Sequence, residues 1–210
     1  MDTNYWHNKW EQNQIAFHED GANPLLVEHF PALALPQGSR IFLPLCGKTL
    51  DIPWLLSEGY HVAGAELSEI AVRQFFHELD EKHAITADGE LKHFVADGVD
   101  IFQGNIFDLS ATQLGQVDAI YDRGALVALP ASMRNEYTAH LVRLTAAAPQ
   151  LLVCYEYDQT TMQVPPFSIS SADVHQHYGQ AYRITHLATA DIPLGLKGNM
   201  EVRQNVWLLK

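Results

Sequence analysis

The stretch from Arg40 to Glu66, RIFLPLCGKTLDIPWLLSEGYHVAGAE, narrows the possible folds more than any other part of the chain. An apolar run from Ile41 to Leu45 meets a Cys46-Gly47 turn, a helical segment runs to Glu58, Gly59 stops it, and a second apolar run ends on Glu66. Strand, tight turn, helix and strand in that order predict a βαβ unit with a right-handed crossover. Glu66 closes the second strand 19 positions after the turn glycine (66 − 47). Nucleoside-binding folds place there the carboxylate that accepts hydrogen bonds from a ribose diol, which makes Glu66 the first candidate binding residue.

The turn narrows the ligand. A dinucleotide needs G-x-G-x-x-G, because its pyrophosphate lies against bare backbone at a helix N-terminus. Leu45-Cys46-Gly47-Lys48-Thr49-Leu50 holds a single glycine. That permits close backbone approach without building a phosphate cradle, and so favours a nucleoside lacking phosphates, such as S-adenosylmethionine. On this stretch alone, a βα turn with no ligand stays open.

With 210 residues, 47% apolar and 18% charged, the chain fits one α/β domain able to bury its core without disulfides. Thirteen basic against 25 acidic residues give a net charge of −12, with no Lys/Arg run. A polyanion is repelled by that field, so neither nucleic acid nor an anionic membrane is an expected partner. A sulfonium cation is tolerated. Cys46 and Cys154 are the only cysteines, far apart in apolar surroundings, and predict buried thiols in a reducing compartment. MDTNYWHNKW has no signal-like pattern and no apolar run approaches ~20 residues, so a cytoplasmic location is expected.

Tyr5, Trp6, Trp10 and Phe17 fall on helix-like spacing. They describe equally a surface helix with a buried stripe or an aromatic lid over a planar ligand. A helix is expected from Glu69 to about Lys82 behind an N-cap Ser68, then a polar hairpin-like stretch, Ala84 to Gly98, around Asp88-Gly89. The strand Val99 to Gln103 leads to Asn105 and Ile106, placed where adenine would sit, although an N-capping loop accounts for them as well. The run Val117 to Tyr121 is followed by Asp122-Arg123-Gly124, a charged pair at a strand's carboxyl end. Buried ion pairs seldom improve on apolar packing, which favours a functional reading of the pair over a solvated loop. Pro165-Pro166-Phe167 is a stiff loop and a candidate pocket wall. The last two strands, Tyr182 to Ala188 and Val202 to Leu209, have Pro193, Gly195 and Gly198 between them, which leaves no room for a crossover helix and requires antiparallel pairing. The expected fold is therefore α/β and Rossmann-like: a mostly parallel seven-stranded sheet with an antiparallel last strand and helices on both faces, the class I methyltransferase layout. None of the eleven histidines has metal-site spacing.

Phe42-Leu43-Pro44-Leu45-Cys46-Gly47-Lys48, Glu66-Leu67-Ser68, Asn105-Ile106-Phe107-Asp108-Leu109, Asp122 to Ala128 (DRGALVA), Pro165-Pro166-Phe167 and Val206-Trp207-Leu208-Leu209 stand in one order along nearly the whole chain. Together with the Trp6/Trp10 segment they resemble the thiopurine S-methyltransferase family. The resemblance implies one domain over 1–210, residues 1–35 forming a helical cap, and methyl transfer from S-adenosylmethionine to sulfur, selenium or tellurium. It also implies roles: Trp10 covering the cofactor, Leu45 and the Cys46-Gly47 backbone bounding its amino-acid end, Glu66 on the ribose, Asn105 and Ile106 flanking adenine, and Arg123 near cofactor and acceptor. From Leu194 to Val202 the agreement is poorest, with Lys197 standing in for a substrate-side cation. A small thiol acceptor and a monomer are expected, with no metal. An NAD(P)-dependent reductase, disfavoured by the missing glycines and the closing hairpin, and a non-catalytic cofactor-binding protein are the alternatives.

Overall fold

Alternation along the central strands sorts the core into two faces. In β1 (Arg40–Pro44), Phe42 points into one cluster with Ile120, Tyr137, Leu141 and Tyr178, while Ile41 and Leu43 point into the other with Leu26, Leu55, Val72 and Phe76. A strand buried on both faces reads as a continuous apolar run, which is why RIFLP was recognisable. The protein is represented by a computed structural model that describes residues 3–15, 18–192, 195–196 and 201–210.

Around β1 lie β2 (His61–Glu66), β3 (Ala84–Asp88), β4 (Leu91–Ala96), β5 (Val99–Gln103), β6 (Ala119–Arg123), β7 (Gln150–Glu156), β8 (Ile184–Asp191) and β9 (Arg203–Leu209). Their order across the sheet is β3-β4-β5-β2-β1-β6-β7-β9-β8. The five strands from β5 to β7 are parallel, and β9 runs antiparallel to both β7 and β8, as the helix-free connection required. Helices α2 (Pro24–His29), α3 (Asp51–Ser57) and α4 (Glu69–Glu78) cover one face, and α6 (Ala131–Leu144) and α7 (Ser171–Tyr178) the other. The remaining helices are α1 (Thr3–Glu11) and the short α5 (Ala111–Leu114).

The seven expected strands are present in the expected arrangement, and β3 and β4 extend the sheet to nine among the described residues. β3 and β4 are the two arms of the hairpin-like stretch expected over Ala84 to Gly98 around Asp88-Gly89; what the sequence did not show is that they join the sheet. β3 is exposed over four of its five residues, and β4 buries Leu91 and Phe94, three positions apart, so neither shows period-two alternation. Helix α4 begins at the expected cap, Ser68 Oγ accepting from Ala71 N at 3.3 Å, but stops at Glu78, ahead of Asp80 at φ 55°. The strand expected at Val117 to Tyr121 is shifted, so Asp122 and Arg123 lie inside β6. Phe17 lies outside the described residues. Of the stretch expected to form a cap, α1 rests near α4, whereas Leu26, Phe30 and Leu33 belong to the core beneath the sheet. Strand order reverses at β1, with β2 on one side and β6 on the other, and an open α/β sheet holds its ligand crevice at the carboxyl ends beside such a switch.

Candidate cofactor site and acceptor side

The β1–α3 turn is built from two left-handed residues, Leu45 at φ 49° and Gly47 at φ 56°. For leucine this region is strained, so surrounding contacts must hold it. Those contacts come from β2. Cys46 N donates to Ala65 O at 3.0 Å, and Gly47 N donates to Glu66 Oε2 at 2.8 Å. The other carboxylate oxygen accepts from Ser68 N at 2.7 Å, and the Glu66 carbonyl accepts from Gly104 N at 2.9 Å. Glu66 thus ties together the turn, the start of α4 and the end of β5. It is 7% exposed; burial raises its carboxyl above the usual range, and the backbone N–H bonds work the other way. A carboxylate has about four acceptor positions, and backbone N–H groups of Gly47, Leu67 and Ser68 turn toward this one, so acceptor capacity remains for a hydroxyl donor.

Trp10 lies over the turn, 4% exposed. A Cβ on Gly47 would stand 3.2 Å from Trp10 Cζ2, so this position excludes larger residues by both backbone angle and contact. Across the crevice, Asn105 accepts from Phe107 N at 3.3 Å and caps the 3-10 turn Ile106–Asp108. Ile106 is buried, and its carbonyl accepts a hydrogen bond at 2.9 Å from His140 Nε2, which must therefore carry the proton. Gln103 Nε2 donates to Leu67 O at 2.9 Å. Of the two readings of Asn105 and Ile106, the capping one is observed, and the cap holds both residues beside the Glu66 strand end.

Arg123 sits on the opposite side of the turn, its side chain 11% exposed. Its Nη2 pairs with Glu19 Oε1, and its Nη1 lies 3.6 Å from Asp51 Oδ2. Burial opposes the guanidinium charge, but Tyr121, Asp51, Tyr155 and Glu19 outweigh it and raise the Arg123 pKa. Asp51, on the first turn of α3, is fixed by Asn23 N donating to its Oδ1 at 2.7 Å. Lys48 Nζ meets Glu78 Oε1 at 2.5 Å, and burial, then Lys48, lowers the pKa of nearby His18. Glu19 and Asp51 were not among the sequence candidates, because no local pattern distinguishes a carboxylate whose partner is distant in the chain. Phe167 N donates to Val127 O at 2.6 Å, which stitches the Pro165-Pro166-Phe167 loop to the segment after β6. Of Leu194 to Val202, only Gly195, Leu196, Glu201 and Val202 are described, so Lys197 lies outside the described residues. A cavity of about 460 Å3 between α7 and the β8–β9 edge includes none of the candidate residues. No helix of the described residues is long and apolar enough to cross a membrane, and no cluster of three metal-ligating side chains occurs among them.

This strand order and crevice define a class I S-adenosylmethionine-dependent methyltransferase fold. A solved structure that shares it is that of Burkholderia thailandensis 1,6-didemethyltoxoflavin-N1-methyltransferase with bound S-adenosylhomocysteine, at a TM-score of 0.67 and 12% identity, covering 99% of this chain and 87% of that one. More specifically, the family model for thiopurine S-methyltransferase matches residues 1–209, and the chain belongs to that family of methyltransferase enzymes. Proteins named thiopurine S-methyltransferase from Xanthobacter autotrophicus and Gluconobacter oxydans are 52% and 49% identical, spanning 100% and 97% of this chain and 99% and 92% of their own lengths. The family's cofactor, S-adenosylmethionine, is the one the glycine-poor turn predicted, and the reductase alternative falls away.

Proposed function

We propose that this chain moves the methyl group of S-adenosylmethionine onto the sulfur of a thiopurine or similar aromatic thiol, and onto small selenium or tellurium nucleophiles, as a cytoplasmic monomer. The carrying observation is the bond from Glu66 to the Gly47 turn, which sets a ribose-accepting carboxylate against a backbone approach that lacks phosphate-binding glycines. Glu66 accepts from the ribose hydroxyls with its remaining acceptor positions. Leu45 and the Cys46-Gly47 backbone border the amino-acid end, Trp10 closes over it as the lid, Asn105 and Ile106 flank adenine, and Arg123 faces the acceptor. The whole chain works as one domain.

The cofactor supplies an electrophilic sulfonium methyl. The acceptor thiolate attacks that carbon in line; a new carbon–sulfur bond forms as the methyl–sulfonium bond breaks, and its electron pair remains on sulfur in neutral S-adenosylhomocysteine. The thiol proton has already gone to solvent, so no dedicated base is required. Alignment of the two sulfurs about the methyl supplies up to ~7–11 kcal/mol of the barrier reduction. The test is Glu66→Gln. Losing a charge-assisted hydrogen bond worth about 1.5–3 kcal/mol should weaken S-adenosylhomocysteine by roughly 10- to 100-fold in calorimetry. Unchanged affinity removes the ribose role. Mass spectrometry that finds no methylated product from wild-type protein across a panel of thiols and selenols removes the reaction.

A further inference from the structure

We propose that Glu19 is a specificity-determining residue whose carboxylate occupies, in the absence of acceptor, the position at Arg123 that an acceptor's anionic group takes. This rests on Arg123 facing the acceptor. Two carboxylates meet the guanidinium, and they are not equivalent. Asp51 is 1% exposed in its side chain and anchored from α3 by Asn23 N. Glu19 is 38% exposed in its side chain, lies between α1 and α2, and is otherwise held by Asn23 Nδ2 at 3.4 and 3.2 Å from its two oxygens. Asp51 alone balances the arginine.

The formal charge of Glu19, Asp51 and Arg123 together is −1. An anionic acceptor bound beside an unmoved Glu19 would bring it to −2 around a largely buried guanidinium, where like charges repel even though Glu19 itself is part-exposed. Exchange keeps the count constant: Glu19 swings to water as the acceptor's anion takes its place. Arg123 Nε is buried and has no hydrogen-bond acceptor among the described residues, so one donor of the fork is unmatched while Glu19 holds the other end. A planar anion offering two acceptors satisfies more of that fork than Glu19 does. Glu19 therefore sets a threshold that a singly coordinating anion does not pass, while keeping the buried guanidinium paired when the site is empty.

The experiment compares 4-mercaptobenzoate with its methyl ester, which differ in one negative charge. Both are measured as acceptors, and as ligands of the S-adenosylhomocysteine complex by calorimetry. Glu19→Gln should lower KM and Kd for the carboxylate by roughly fivefold, in keeping with a part-exposed ion pair, with kcat within about twofold and the ester unaffected. In an Arg123→Gln background the same change should have no effect on either compound. Equal shifts for acid and ester, no shift for the acid, or an effect that persists without Arg123 each overturn the assignment. Charge-selective binding without methyl transfer from either compound overturns the reaction reading and leaves the Glu19 contact standing.

Discussion

Asp122 and Arg123 are adjacent, yet strand alternation sends them to opposite faces. Arg123 meets Asp51 of α3, and Asp122 accepts from Tyr137 Oη of α6 at 2.7 Å and from Leu126 N at 3.2 Å. The sequence showed a charged pair at a strand end and no more; the division of labour follows from the pleat, once the strand is known to reach Arg123. Asp122 is fully buried. Burial lifts its pKa from 3.8 to about 6 against the opposing hydrogen bonds. Between those values the folded protein holds a proton that the unfolded chain has released, so stability falls as pH rises through this window and stays lowered above it. The interval from 3.8 to about 6 corresponds to about 3 kcal/mol. Asp122→Asn removes the ionisation. Urea denaturation from pH 4 to pH 7 should show wild type losing about 2 kcal/mol relative to the variant, most of the full difference. A wild-type-minus-variant difference that stays flat with pH contradicts an Asp122 that ionises in the core.

At the scale of elements, the best-read unit was β1–α3–β2, because a doubly buried strand, a glycine turn and a closing carboxylate are all local signals. The hairpin of β3 and β4 was legible from Asp88-Gly89, but its place in the sheet was not, because that depends on the edge of β5 rather than on the hairpin's own pattern; nor was the position of α1. Helical spacing identified α1 without saying what it covers. The structure sets Trp10 of that helix against Gly47. Gly47→Ala combines two penalties, a left-handed backbone worth about 1–2 kcal/mol for a residue with a Cβ and the 3.2 Å approach to the indole. Trp10→Ala removes only the second. The double variant should therefore be more stable than the sum of the single changes indicates, by more than the ~0.5 kcal/mol scatter of independent sites. Chemical denaturation of the four proteins measures this, and strict additivity would show that α1 does not press on the turn.

Across the whole molecule, the candidate site belongs to no single element. Its residues come from α1, the β1–α3 turn, and the ends of β2, β5 and β6, with Glu19 reaching Arg123 from a position 104 residues earlier in the chain (123 − 19). Spacing within each segment pointed to Glu66, Asn105 and Ile106. No spacing pointed to Glu19 or Asp51, since a contact between distant segments leaves no periodic trace. A ligand that bridges all these segments binds the folded chain and not the unfolded one, and so stabilises it by mass action. S-adenosylhomocysteine at 100 times its Kd adds about 2.7 kcal/mol. For a chain of this size each kcal/mol moves the midpoint about 2–4 °C, which predicts a rise of roughly 5–10 °C in thermal unfolding. NAD at the same concentration should leave the midpoint where it is, because Thr49 stands at the second glycine position counted from Gly47, the one that lets backbone approach a pyrophosphate in the dinucleotide motif. An equal rise with NAD, or none with S-adenosylhomocysteine, would mean that the crevice at the strand switch is not shaped for a phosphate-free nucleoside.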